Sequence, residues 1–191
     1  MGRNQRFGVI GLGRFGTEVA TWLASRNYQV LAIDRSRSLV DDISGSVDNA
    51  VCLDCTNETA LQEVRIQEMD VVVVAIGDTH VENSILTTAL LQQFEIPMIV
   101  ARAKSDLHAR ILKVVGAHHV VNPEKEMGER TAQWIATPGL SELIPLAEGA
   151  SIAEMPVPAS FAGKTLLDLR IRSRYGITIV GIRRLETHAA E

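Results

Sequence analysis

The run Gly11-Leu12-Gly13-Arg14-Phe15-Gly16 has the spacing G-x-G-x-x-G, and the chemistry that spacing serves is the binding of a diphosphate. The first glycine permits a tight turn, the second lets the backbone approach a phosphate, and the third lets a helix pack closely on a strand. The N-terminus of that helix then faces the anion. Asp34 stands 18 residues beyond Gly16, where a carboxylate can accept hydrogen bonds from ribose hydroxyls. Arg35 and Arg37 beside it raise a 2'-phosphate as a ligand, although Asp34 would repel one. The competing reading is that the glycines serve turn geometry alone.

Further candidates lie where later strands end: Asp54-Cys55, Ala75-Ile76-Gly77-Asp78 and Arg102-Ala103-Lys104, the last two cations having a solvated loop as their alternative. Cys52-x-x-Cys55 has the look of a redox or metal pair. No second cysteine pair accompanies it, so core packing plus a loop thiol is preferred. His118-His119 falls in an expected strand, which sends the two rings to opposite faces, one buried and one exposed. Glu124 and Glu126 open a helix after Asn122-Pro123, where they either meet the helix dipole or share a divalent cation with nucleotide phosphates. Arg170, Arg172, Arg174, Arg183 and Arg184 form a basic cluster, read as a solvated face or a place for an anionic ligand or acidic partner. No G-x-S-x-G elbow supports a nucleophilic triad.

The elements that must position these groups alternate regularly. Short apolar, β-branched runs predict strands at 6–10, 29–33, 50–53, 70–76, 97–101 and 118–121, and helical periodicity predicts helices at 14–26, 38–45, 58–64, 80–93, 106–115 and 123–136. Six βα units make an α/β fold, a Rossmann-like doubly wound parallel sheet. After Thr137-Pro138-Gly139 the pattern changes, which divides the chain into a nucleotide-binding domain at 1–137, a linker at 138–150 and a small, incomplete α+β C-terminal lobe at 151–191. In that lobe we expect strands at 151–157 and 176–183, a turn into a short helix at 163–169, and a frayed tail from 186. So few residues seldom build an independent core. Across all 191 residues, 46% are apolar and 22% charged, which describes a globular protein. No apolar run approaches the roughly 18 residues of a membrane span. Two cysteines and no signal-peptide core point to a reducing, cytoplasmic setting, and a net charge of -4 argues against a nucleic-acid partner.

Several motifs, taken together and in order, resemble the RCK (or KTN) domains, cytosolic regulators of potassium channels and transporters, and most closely the separate Ktr/Trk type of regulatory subunit. They are Val9-Ile10-Gly11-Leu12-Gly13-Arg14-Phe15-Gly16, Asp34, Leu53-Asp54-Cys55-Thr56, the Val-rich strand ending Ala75-Ile76-Gly77, and the run from Gly116-Ala117-His118 through Asn122-Pro123-Glu124-Lys125-Glu126-Met127-Gly128. The arginine inside the glycine loop is the most telling, since most dehydrogenases have no reason to place a cation there. The resemblance implies a pocket with Asp34 on the ribose, Asp54 and Cys55 beside the adenine, Ala75, Ile76 and Gly77 beneath the ligand, and Arg14 facing terminal phosphates. It implies Arg102, Ala103, Lys104 and His108 along the nucleotide, and Glu124 helping to hold Mg2+ or Ca2+ near the phosphates across a dimer interface. Ser36 stands where the family has Asn.

The ligand implied is ATP or ADP, which would switch a homo-octameric ring of homodimers, paired through residues 123–136, at the inner face of the membrane. There the ring would control potassium flux through an integral membrane subunit, with no catalysis. Some relatives bind cyclic di-AMP in the C-terminal lobe, whose later strands are missing here after Gly181-Ile182-Arg183-Arg184. The alternatives are an NAD(H)-dependent oxidoreductase, which would lack a substrate domain, and an NAD(H)-sensing module.

Overall fold

The computed structural model describes residues 5–77, 80–137, 142–147 and 150–183; Asp78, the Pro138-Gly139 pair, Arg184 and the tail after it lie outside the described residues. The chain divides into two units, 1–129 and 130–191.

In the first unit six strands form one parallel sheet: β1 (Arg6–Ile10), β2 (Gln29–Asp34), β3 (Asn49–Cys52), β4 (Val71–Val74), β5 (Met98–Arg102) and β6 (His119–Val121). Their order is β3-β2-β1-β4-β5-β6, so the chain winds outward from β1 to β3, then crosses back to β4 and winds the other way. Strands buried on both faces need apolar residues at every position, and successive side chains do go to opposite layers. Val9 and Val73 join one core with Ala20, Val40 and Ile43, and Ile10, Val72 and Val74 join the other with Leu61, Leu91 and Leu112. Helices α1 (Arg14–Ala24) and α2 (Arg37–Ile43) supply the first layer, and α3 (Glu58–Glu63), α4 (Val81–Gln93) and α5 (Asp106–Val114) the second. Helix α6 (Pro123–Ala136) follows β6 and starts on a reciprocal pair: Asn122 Oδ1 accepts from the Lys125 N–H, and Glu126 Oε1 accepts from the Asn122 N–H.

Two local departures matter for the site. Strand β4 ends at Val74 rather than running to 76: the Ala75 N–H makes the last ladder bond to β1, donating to Ile10 O at 2.7 Å, and Ala75 to Gly77 then leave the sheet as a loop. Strand β6 starts at His119, and His118 and His119 are both exposed; His118 Nδ1 accepts the Ile99 N–H at 3.0 Å.

The second unit differs more from expectation. Strands β7 (Glu142–Ala147) and β8 (Ala150–Glu154) pair antiparallel, so a hairpin occupies the stretch read as a linker and the strand placed over 151–157 stops at Glu154. Helix α7 (Leu166–Leu169) opens with a Thr165/Asp168 capping box. It is followed by an unforeseen helix, α8 (Ile171–Tyr175), closed by Gly176 at φ +68°. Residues 177–183 form no strand, correcting the strand expected over 176–183: alternation alone does not make one without a neighbouring edge to pair with. Among the residues of this unit whose burial is described, Leu169 and Ile171 are the buried ones. Arg170, Arg172, Arg174 and Arg183 are all exposed, and Arg183 forms an ion pair with Glu154.

The glycine loop is where packing is tightest. A Cβ on Gly16 would lie 1.8 Å from Gly11 O, and one on Gly11, whose φ is +96°, would lie 2.9 Å from the Ala75 carbonyl. Gly16→Ala should therefore lower stability by about 3 kcal/mol, the upper part of overpacking costs, read as a drop in denaturant midpoint. Gly128→Ala in α6, where a Cβ meets nothing within 4 Å, should leave the midpoint unchanged or raise it. A Gly16→Ala protein as stable as wild type would contradict this packing.

Candidate functional site

A cavity of about 270 Å³ opens beyond the carboxyl ends of β1, β2, β3 and β4, at the point where the winding direction reverses. Its wall is made of Ile10, Gly11 and Gly13 after β1; Asp34, Arg35, Ser36 and Leu39 after β2; Asp54 and Cys55 after β3; Ala75, Ile76 and Gly77 after β4; and His80 and Asn83 at the start of α4.

Asp34 organises the near side. Its Oδ2 accepts the Leu12 N–H at 2.7 Å and its Oδ1 accepts the Ser36 N–H at 2.8 Å. Each carboxylate oxygen retains a further lone-pair direction, so two hydroxyls on adjacent carbons can still donate to it. Above it, α1 begins without competition for an anion. Its N-cap is Gly13, no side chain caps its first N–H groups, and its first turn holds no acidic residue. Helices α3, α4, α5 and α6 all carry Glu or Asp there. Arg14, the first residue of α1, is exposed and outside the cavity wall.

On the far side Asp54 Oδ1 accepts both the Thr56 N–H at 2.9 Å and the Thr56 hydroxyl at 2.7 Å. The backbone bond first and the hydroxyl second hold its carboxyl below the usual range, against a smaller burial effect, with Arg35 adding to the lowering. Burial pushes the Cys55 thiol up, partly offset by the Thr87 hydroxyl, which reaches Cys55 O and Sγ at 3.3 Å each. The Cys52 thiol donates instead to Arg35 O at 3.4 Å, and both cysteines are free. Across the mouth the Arg35 guanidinium meets His80 Nε2.

Of the residues singled out in the sequence, Gly11, Gly13, Asp34, Arg35, Ser36, Asp54, Cys55, Ala75, Ile76 and Gly77 come together here. Leu12, 2% exposed, and Phe15 belong to the core layer beneath the loop, and Gly16 to its contact with α1. Arg102, Ala103, Lys104 and His108 lie outside the wall: Arg102 pairs with Glu124 at 2.6 Å, Ala103 is fully buried, and His108 is 5% exposed between α4 and α5. Leu39, His80 and Asn83 were not foreseen, because no motif marks them and it is the placing of α2 and α4 beside the strand ends that brings them to the cavity.

Glu124, expected to help hold a divalent ion together with nucleotide phosphates across a dimer interface, is placed at the start of α6. Its carboxylate is engaged by Arg102, Glu126 by the Asn122 N–H, and Asp106 by Lys125 at 3.0 Å. Among the described residues no three His, Cys, Asp or Glu side chains of this chain are grouped to hold a metal ion. Nor, among the described residues, is any helix long and apolar enough to cross a membrane.

The chain is 37% identical over 180 residues to the Ktr system potassium uptake protein C of Bacillus subtilis (strain 168), spanning 94% of this chain and 81% of that protein. In fold it is similar to the GsuK channel bound to NAD, with a TM-score of 0.68 and 21% identity over 93% of this chain and 32% of that one. It is also similar to GsuK bound to ADP, with a TM-score of 0.58 and 22% identity over 69% and 34%. Residues 7–123, which carry nearly all of the parallel sheet and every cavity-lining residue, match the TrkA-N domain, and the chain belongs to that family.

Proposed function

We propose that this chain is a cytosolic nucleotide-binding regulatory subunit of a potassium uptake system, in which ATP and ADP compete for the cavity and set the flux through a membrane partner. The observation that carries this reading is the glycine loop tied to Asp34, facing a cavity with the uncapped start of α1 above it. The similarity to a Ktr potassium uptake protein supplies the transport context.

The cavity lies just below the range of about 300–1,000 Å³ usual for ligand pockets, which suits a nucleoside with its phosphates extending over the loop. Ribose hydroxyls donate to Asp34, the base lies between the β3 end and the Ala75–Gly77 loop, and the phosphates meet the N–H groups of α1. A γ-phosphate then comes within reach of Arg14. Two ligands shift a conformational equilibrium only through their differential affinity for its states, and Arg14 is the group that can supply that difference.

The titratable groups around the cavity favour binding over catalysis. Asp34 and Asp54 accept local N–H bonds, the Cys55 thiol is pushed up, and His80 meets Arg35. None of these is a poised acid or base beside an unengaged nucleophile. Met127, Trp134 and Ile135 are exposed on α6, an apolar surface suited to pairing two copies, and four such dimers would close the octameric ring at the inner membrane face. NAD or NADH is a second ligand reading, supported by the fold neighbour bound to NAD and by the adenosine end that both ligands share.

A Cβ on Gly13 meets nothing within 4 Å and its φ is -69°, so Gly13→Ala should fold with wild-type stability yet bind ADP about tenfold or more weakly, since the methyl stands where phosphate approaches the backbone. Unchanged ADP affinity would remove the phosphates from the loop. Arg14→Ala should bring the ATP and ADP dissociation constants closer together in a competition assay. If the ratio is the same as in wild type, Arg14 does not read the γ-phosphate.

A further inference from the structure

Helices α4 and α5 pack on the apolar face of the sheet, yet the buried polar side chains of the described residues, Ser84, Thr87, Thr88 and His108, all lie on these two helices. A buried polar group is costly unless hydrogen-bonded, and these groups are bonded to one another and to particular loops. Thr87 reaches Cys55 in the cavity wall, Thr88 donates to Ser84 O at 2.8 Å, and Asn83, next to Ser84, lines the cavity itself. His108 Nδ1 accepts the Lys104 N–H at 3.4 Å, and its Nε2 lies 3.4 Å from Ser84 Oγ. With Nδ1 facing the Lys104 N–H, Nε2 is the ring atom that meets Ser84.

A continuous set of contacts therefore leads from the cavity wall through α4 to the loop between β5 and α5. Arg102, two residues before Lys104, carries it on to Glu124 in the first turn of α6. Both His108 bonds are long, so a shift of a few tenths of an ångström in α4 would make or break them. A leucine of similar size would fill this space with no polar group to satisfy, but it would leave the loop free to move relative to α4.

We propose that His108 is a positioning residue that couples occupancy of the cavity to the loop at 103–108, and so to the Arg102–Glu124 pair at the start of α6. It does so through Ser84, without touching the ligand. The inference rests on reading the cavity as a nucleotide site.

The test is amide hydrogen exchange on the full chain with and without saturating ADP, for wild type, Ser84→Ala, His108→Leu and the double variant. In wild type, ADP should slow exchange at 34–36 and 54–55, and also at 103–108 by about fivefold or more, the low end of coupling between sites. In Ser84→Ala and His108→Leu the slowing at 34–36 and 54–55 should remain while that at 103–108 disappears. The double variant should add nothing to His108→Leu, because the two residues act as one link. Ser84→Ala, which removes one hydroxyl, carries the test if His108→Leu does not fold. Slowing at 103–108 that persists in the variants, or that is absent in wild type while the cavity segments are protected, overturns the proposal. If ADP protects neither segment in wild type, the cavity reading falls and the proposal with it.

Discussion

The hydrogen bond from the Leu12 N–H to Asp34 Oδ2, 2.7 Å long, is the interaction on which the rest of the site depends. It joins the ends of adjacent parallel strands at the place where the glycine loop leaves the sheet, and it uses an ionised acceptor, the kind of bond worth about 1.5–3 kcal/mol. The Gly11 N–H bond to Ile33 O at 2.8 Å makes a second hold on the loop, and the Ser36 N–H bond to Asp34 Oδ1 fixes the carboxylate itself. With the loop held, α1 can start only where Gly16 nests against Gly11 O, and the direction of its N-terminus follows. The same carboxylate that fixes the loop also lines the cavity, where the proposed nucleotide would place its ribose. On that reading a charge used for recognition stands at the pocket edge because it also holds the loop.

Much of this was legible in the residues. The six apolar runs announced the parallel sheet, since only strands covered on both faces can be apolar throughout, and the loop spacing with Asp34 located the cavity. The anchoring role of Asp34 was not legible, because hydrogen bonds to backbone N–H groups depend on how far β2 runs past Ile33. His80 and Asn83 were invisible for a similar reason: they stand at the start of α4, and no sequence pattern says that this helix begins beside the cavity. Arg102 and His108 carried the right chemistry for a phosphate site, but the sheet puts them beyond the wall, where they bond to Glu124 and Ser84. In the second unit local patterning was the weaker guide, because a strand is decided by the edge available to pair with it. The hairpin of β7 and β8 found one and residues 177–183 did not.

The contrast between the two ends of the cavity explains why a binding role suits it. The α1 end offers oriented N–H groups and an exposed cation, which favour anions without changing them. The far end offers Asp54, whose carboxyl the Thr56 bonds hold below the usual range, and a Cys55 thiol that burial pushes up. On the proposed function, such a site would tell ligands apart by charge and length, and α4 and the β5–α5 loop are the elements we propose carry its output.

The most direct test of this account is calorimetric titration of wild type and Asp34→Ala with ADP. The account predicts saturable binding of one ADP per wild-type chain, and affinity at least about tenfold lower in a folded Asp34→Ala protein, which loses both the ribose acceptor and the clamp on the loop. No ADP binding by wild type, or equal affinity in the two proteins, would contradict it.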